Sequence, residues 1–207
     1  MSRRSAVSPA HRFLRRSPLS SSAGGFRWNA VSPPSWPQRG KAMSTHAGGC
    51  LCTAIRYKTR AAPQRVTICH CTFCQRITGT AYLVESIFGK KDIEITAGEP
   101  KTFMHRSTGS GKEVTLHFCQ DCGCNIYLSF ERYPDVVGVF SGTFDDPNWF
   151  ERTIGNSKHI FTRFAQSGVV LPPGINTFPE HTTQNDGTPN EPVVYTHAFI
   201  VHAGKQA

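Results

Sequence analysis

The chain has 207 residues, with 23 Lys and Arg against 14 Asp and Glu, for a formal net charge of +9. A charge of that size suggests nucleic acid or an anionic membrane surface, but its location weakens the suggestion. Residues 1–42 hold eight basic side chains (Arg3, Arg4, Arg12, Arg15, Arg16, Arg27, Arg39 and Lys41) and no Asp or Glu, whereas from Met43 onward 15 basic residues face 14 acidic ones. The part beyond Met43 is long enough for one domain with its own core, and no run reaches the roughly 18 apolar residues that a membrane span needs.

Residues 1–42 contain nine Ser and five Pro and show no apolar period. Such a composition buries too little surface to offset the entropy of ordering, so a disordered leader is expected. Its acid-free, Arg- and Ser-rich character also matches a mitochondrial transit peptide, although Pro9 and Pro18 leave only a short stretch around Phe13 and Leu14 for an amphipathic helix. The alternative is that translation starts at Met43. The expected compartment is therefore the cytoplasm, or the mitochondrion if the leader is a transit peptide. A nucleic-acid partner would require the leader to be kept.

After Gly48-Gly49 the chain alternates apolar and polar residues over short spans separated by turn residues. Strands are predicted at Thr53–Thr59, Arg65–Cys69, Thr80–Ile87, Lys101–His105, Glu113–Phe118, Asn125–Phe130, Val136–Phe140 and His159–Phe164. Helical signals are confined to Thr72–Thr78 and to one turn at Asp146-Pro147-Asn148-Trp149. Thr182–Pro192 reads as a polar loop, and Val193–His202 as a run that can add an edge strand. The pattern predicts an all-β fold, with one domain over residues 43–182 followed by the loop and edge strand of 183–207.

Eight cysteines fall within 75 residues: Cys50 and Cys52, then Cys69, Cys71 and Cys74, then Cys119, Cys122 and Cys124. Disulfides between cysteines two apart are strained, and the N-terminus lacks the apolar stretch of a secretory signal, so the clusters point to metal. If Cys50 and Cys52 lie in an extended segment, both side chains project the same way. Gly123 lets the chain turn so that Cys119 and Cys122 meet one ion. Together they offer four thiolates for a closed tetrahedral site, and structural zinc of this kind contributes on the order of 10–16 kcal/mol of apparent binding free energy to folding. Cys69, Cys71 and Cys74 supply three donors. Three protein ligands and an open position are the pattern of a reactive zinc. The spacing leaves open that Cys124 or His70 completes this second set, or that the three thiols form a redox relay without metal. Alternation turns His70 away from the side shared by Cys69 and Cys71.

Gly48-Gly49-Cys50-Leu51-Cys52, Cys69-His70-Cys71-Thr72-Phe73-Cys74-Gln75-Arg76 and Phe118-Cys119-Gln120-Asp121-Cys122-Gly123 together resemble the family of glutathione-dependent formaldehyde-activating enzymes and centromere protein V. The resemblance extends over roughly residues 46–165, through Gly142-Thr143-Phe144-Asp145-Asp146 and Lys158-His159-Ile160-Phe161. It implies a zinc-bound all-β tent of small antiparallel sheets. It also implies two zinc ions, a structural one on Cys50, Cys52, Cys119 and Cys122 and a catalytic one on Cys69, Cys71 and Cys74. The implied activity is that of a carbon–sulfur lyase, in which a thiol, usually glutathione, adds to formaldehyde to give the S-hydroxymethyl adduct. Small thiols and aldehydes are the implied partners.

Three thiolates on one divalent ion leave a net charge near −1, which favours positioning of a substrate thiolate over strong carbonyl activation. His159 is a candidate proton carrier at the metal pocket, and Arg76 and Lys158 are candidates for a thiol's carboxylates. His117 is expected beside the structural site, and Phe73 and Tyr82 in the core or pocket wall. Two other functions compete with the lyase. One is a non-catalytic zinc-binding interaction module. The other is a redox protein resembling methionine sulfoxide reductases, for which Cys124 is the candidate reactive thiol.

Overall fold

Short alternating runs punctuated by Gly, Pro and Asp favour strands over helices. In the computed structural model, which describes residues 45–202, the chain order is β1 (His46–Gly49), β2 (Arg56–Thr59), β3 (Arg65–Cys69), α1 (Thr72–Thr78), β4 (Leu83–Gly89), β5 (Ile93–Ala97), β6 (Lys101–Arg106), β7 (Glu113–Phe118), β8 (Asn125–Phe130), β9 (Val136–Phe140), β10 (Ser157–Ile160), β11 (Val170–Leu171), β12 (Asn176–Thr177) and β13 (Phe199–Ile200). The expected leader of residues 1–42 lies outside the described residues. Among those described, no helix is long and apolar enough to cross a membrane.

The fold is all-β with one short helix. Eight strands form a sheet in the order β12-β10-β3-β4-β9-β8-β7-β6, β1-β2-β5 form a second sheet, and β11-β13 a third. The large sheet departs from the antiparallel expectation at one end, where β10 runs parallel to both β3 and β12. A parallel pair needs a long connection, and the stretch between β3 and β10 contains most of the sheet.

Strands β3, β7, β8 and β9 and helix α1 form where the sequence predicts them. The predicted strand Thr53–Thr59 is shortened because its first residues belong to a turn. Thr53 has φ 65°, and the Cys50 and Ile55 backbones close on each other (N to O 3.0 Å). Cys50 and Cys52 therefore sit at a hairpin bend and not in an extended strand. The predicted strand His159–Phe164 breaks at Phe161, whose φ is 57°, and Thr162–Phe164 becomes a 3-10 turn. Asp146–Trp149 makes a turn without a helix, with the Asn148 amide donating to the Asp146 carboxylate (2.9 Å). The C-terminal run yields only the two-residue β13, yet it is anchored. Val193 bridges to Thr177, β13 pairs with β11, and Val201 is buried.

Burial is organised around two centres. One core joins Cys50 and Cys119 with Ile55, Tyr57, Phe88, Ile126, Val137, Val139 and Phe144. The other joins Cys69 and Cys74 with Leu83, Leu116, Leu128, Phe140, Ile160 and Phe178. Alternation along β9 serves both, because Val137 and Val139 face the first core and Phe140 the second.

Candidate functional site

Two groups of thiols converge among the described residues. The Sγ atoms of Cys50, Cys52, Cys119 and Cys122 all lie within 4.8 Å of one another, as do those of Cys69, Cys71 and Cys74. The first group is drawn from two turns. Cys50 follows β1 directly and Cys52 occupies the bend before β2, while Cys119 and Cys122 flank a turn closed by the Gly123 amide donating to the Cys119 carbonyl (2.9 Å). Gly123 has φ 70° there, a conformation that costs other residues strain. Amides also point at the sulfurs. The Ile55 N–H donates to Cys50 Sγ at 3.2 Å, and amides of Cys52 and Cys124 pull the Cys122 thiol down to about 6.

The donor geometry fits zinc. Four sulfurs at ~2.3 Å from a tetrahedral ion lie ~3.8 Å apart. The Cys50–Cys52 and Cys52–Cys119 sulfurs are separated by 3.5 and 3.7 Å.

The second group comes from one segment, the end of β3 and the first turn of α1. Cys71 caps the helix and its Sγ accepts the Cys74 amide at 3.4 Å. Hydrogen bonds from the Cys69 and Cys74 thiols draw Cys71 down to about 3, while contact with Cys71 pushes Cys69 well up and contact with Cys69 does the same to Cys74. The protein alone thus stabilises one negative charge in this trio, and three thiolates there call for a cation. That donor chemistry, with no fourth protein ligand among the described residues, fits zinc with an open position.

The trio opens into a cleft of about 1010 Å³. Its floor is one face of the large sheet, and register explains its composition. The pairs Thr67↔Glu85 and Cys69↔Leu83 join β3 to β4, Ile87↔Gly138 and Glu85↔Phe140 join β4 to β9, and Ile160↔Cys69 and Lys158↔Thr67 join β10 to β3. With a side-chain period of two, Arg65, Thr67 and Cys69 share that face with Glu85, Gly138, Lys158 and Ile160. Arg132 holds the opposite wall by donating to Thr183 Oγ1 (3.0 Å) and to the Gln184 carbonyl. The segment from Glu180 to Asn190 contributes lining residues.

Three cations, Arg65, Arg132 and Lys158, line the cleft without an acidic ion-pair partner among the described residues. Burial, and then the Arg65 charge, lower the Lys158 pKa, and burial, then Arg132, holds His181 down at about 4. Glu85 lies on the same floor and is 6% exposed. Burial pushes its carboxyl up to about 8, with the Cys71 charge adding and Arg65 opposing. The Arg65 Nε and the Glu85 Oε2 are buried without a hydrogen-bond partner.

His159 is not brought to the thiols. Because Ile160 pairs with Cys69, His159 turns to the other face of the sheet, where its Nδ1 lies 2.9 Å from Nε2 of the fully buried His70. Neither ring joins the trio, and for His70 this agrees with the alternation argument. Cys124 stays with the first core and its Sγ contacts the Asn125 carbonyl at 3.7 Å. His117 stacks on Tyr127 and meets Ser129 Oγ at 2.9 Å. Phe73 lines the cleft and stacks on His105. Tyr82 packs edge-on against His70 and is 40% exposed. Of the two candidate cations, Lys158 lies in the cleft, whereas Arg76 lines a smaller, more open pocket that shares Thr72 with it. Sequence reasoning missed Arg65, Glu85, Arg132 and His181. The signal for Glu85 was a carboxylate in the apolar run Leu83–Gly89.

The chain was compared with known protein families, curated proteins and solved structures. Residues 45–164 match the family profile of the glutathione-dependent formaldehyde-activating enzyme. A Halomonas elongata protein named "Putative glutathione-dependent formaldehyde-activating enzyme" is 24% identical over 101 residues, covering 47% of this chain and 64% of that protein. The chain therefore spans less than two thirds of that relative's length. A crystal structure of a Rhodobacter sphaeroides protein aligns with a TM-score of 0.37 and 18% identity, covering 48% of this chain and 87% of that one. With more than half of its length matching the profile, the chain belongs to the glutathione-dependent formaldehyde-activating enzyme family.

Proposed function

We propose that the protein is a zinc-dependent carbon–sulfur lyase-type enzyme that forms or cleaves the thiol adduct of a small aldehyde, S-hydroxymethylglutathione being the model case. The observation that carries this reading is the placement of Cys69, Cys71 and Cys74 at a large cleft that also presents Arg65, Arg132 and Lys158. When bound, the ion supplies an open position that holds a thiol as its thiolate or polarises a carbonyl oxygen. The chain does the rest. Cys69, Cys71 and Cys74 would hold that ion at one edge of the floor and so decide where in the cleft the reacting end of the substrate lies. Lys158 and Arg65 meet carboxylates of a thiol such as glutathione and fix its direction, the proximity effect that converts two reactants into one bound pair. Phe73, Leu128 and Phe130 present apolar surface that limits water around the aldehyde. Cys50, Cys52, Cys119 and Cys122 hold a second ion that ties the β1–β2 turn to the β7–β8 turn.

Adduct formation between thiols and formaldehyde also proceeds without catalyst, so the test is a rate. Exchange NMR on mixtures of formaldehyde with glutathione, or with other thiols, should show exchange that accelerates in proportion to the metal-loaded protein. A panel of thiols and small aldehydes with no acceleration for any pair would overturn the proposal.

A further inference from the structure

Glu85 is a charged residue in a mostly apolar strand that is buried except for the half-buried Val84, and a buried carboxylate normally has an ion-pair or hydrogen-bond partner. Here Oε2 has none. On the neighbouring strand β9 the residue diagonal to Glu85 on the same face is Gly138. A Cβ at Gly138 would lie 2.3 Å from that oxygen and 3.2 Å from the Phe130 ring, so a side chain larger than hydrogen would expel the carboxyl group from its place. Glu85 sits across from Thr67, two residues before Cys69 on the neighbouring strand. The offset along the strands is about 7 Å, room for a one-carbon fragment with sulfur toward the cysteine trio and oxygen toward Glu85.

We propose that Glu85 is a catalytic residue of this cleft, carrying the proton between the substrate thiol and the aldehyde oxygen; the role rests on the adduct-forming activity proposed above. In the forward direction the thiol sulfur forms a bond to the carbonyl carbon. The π electron pair moves to oxygen, and the oxygen takes the proton from the Glu85 carboxyl. The proton released by the thiol restores that carboxyl. In reverse, the Glu85 carboxylate takes the hydroxyl proton, the carbon–sulfur bond breaks and its electron pair leaves with sulfur, which recovers the proton. No oxidant or reductant is involved. Arg65, on the same floor, supplies a positive charge that favours the carboxylate form of Glu85.

The experiment uses metal-loaded wild type, E85Q, E85L and G138A, each checked for metal content and circular dichroism. Exchange NMR with glutathione and formaldehyde gives turnover. Calorimetry with S-(2-hydroxyethyl)glutathione and S-ethylglutathione reads whether a ligand hydroxyl meets residue 85. E85Q should lose about 100-fold in kcat, the usual size of a general acid–base contribution, with KM within about two-fold and the hydroxyl preference kept. E85L should lose both the turnover and the preference. G138A keeps the carboxyl but displaces it, and should lower kcat with metal content unchanged. An active wild type with equally active E85Q or G138A would overturn the role of Glu85 alone. A wild type that accelerates nothing would overturn the adduct-forming reading, and the role of Glu85 with it.

Discussion

The two cysteine groups offer the same ligand atom in different settings. Cys50 and Cys52 come from one turn and Cys119 and Cys122 from another about 70 residues later, so an ion there closes a long loop and completes a core with Tyr57, Phe88 and Phe144 around it. Cys69, Cys71 and Cys74 are neighbours in sequence, so an ion there constrains little additional chain. Their sulfurs instead open on the cleft floor beside Glu85, Lys158 and Arg65. Distance between ligands in the chain measures what an ion does for folding, and distance from a cavity measures what it can do for a substrate.

The largest effect expected from this contrast is on folding. Cys122→Ser should prevent folding as seen by near-ultraviolet circular dichroism, since structural zinc supplies on the order of 10–16 kcal/mol in apparent terms. A Cys122→Ser protein that folds and works would remove the contrast. Cys71→Ser should abolish thiol–aldehyde turnover while leaving the dichroism spectrum and thermal transition close to wild type, and parallel behaviour of the two variants would likewise erase the distinction.

Smaller effects sharpen the picture of the cleft. Lys158→Met should raise KM for glutathione about ten-fold, the worth of one charge-assisted hydrogen bond, and leave KM for an uncharged thiol such as 2-mercaptoethanol unchanged. Equal effects on both thiols would place Lys158 outside the carboxylate site.

An effect on stability and not on turnover concerns His181, held at about 4 in the folded protein against an ordinary value of 6.5. The unfolded chain binds this proton between those values, so His181 lowers stability as pH falls from 6.5 toward 4, by up to about 1.4 kcal/mol per pH unit. Urea midpoints measured across that range should fall less steeply in His181→Phe than in wild type, and identical slopes would show His181 free to protonate in the fold.

The local parts of this site were legible in the sequence. The helix Thr72–Thr78 and the Gly123 turn between cysteines both depend on residues within a few positions, whereas the cap that Cys71 gives the helix shows only in the structure. What the sequence left open depended on strand pairing. Alternation gives the parity of β10 but not its phase, and only the pairing of Ile160 with Cys69 decides that Lys158 faces the cleft and His159 faces away. Glu85 and Arg65 likewise acquire meaning once β3, β4 and β9 are side by side. The stretch around Thr183 has no apolar period and reads as a loop, yet Arg132 binds it to the cleft wall through long-range hydrogen bonds that no local pattern records.

The most direct measurement is metal stoichiometry followed through mild chelation, with thiol–aldehyde exchange and circular dichroism recorded on the same samples. Two zinc ions per chain are expected, one leaving early together with exchange activity while the dichroism spectrum persists, and the other leaving only as the fold is lost. A single ion per chain, or two that leave together with fold and activity, would contradict the division of labour between the two cysteine groups.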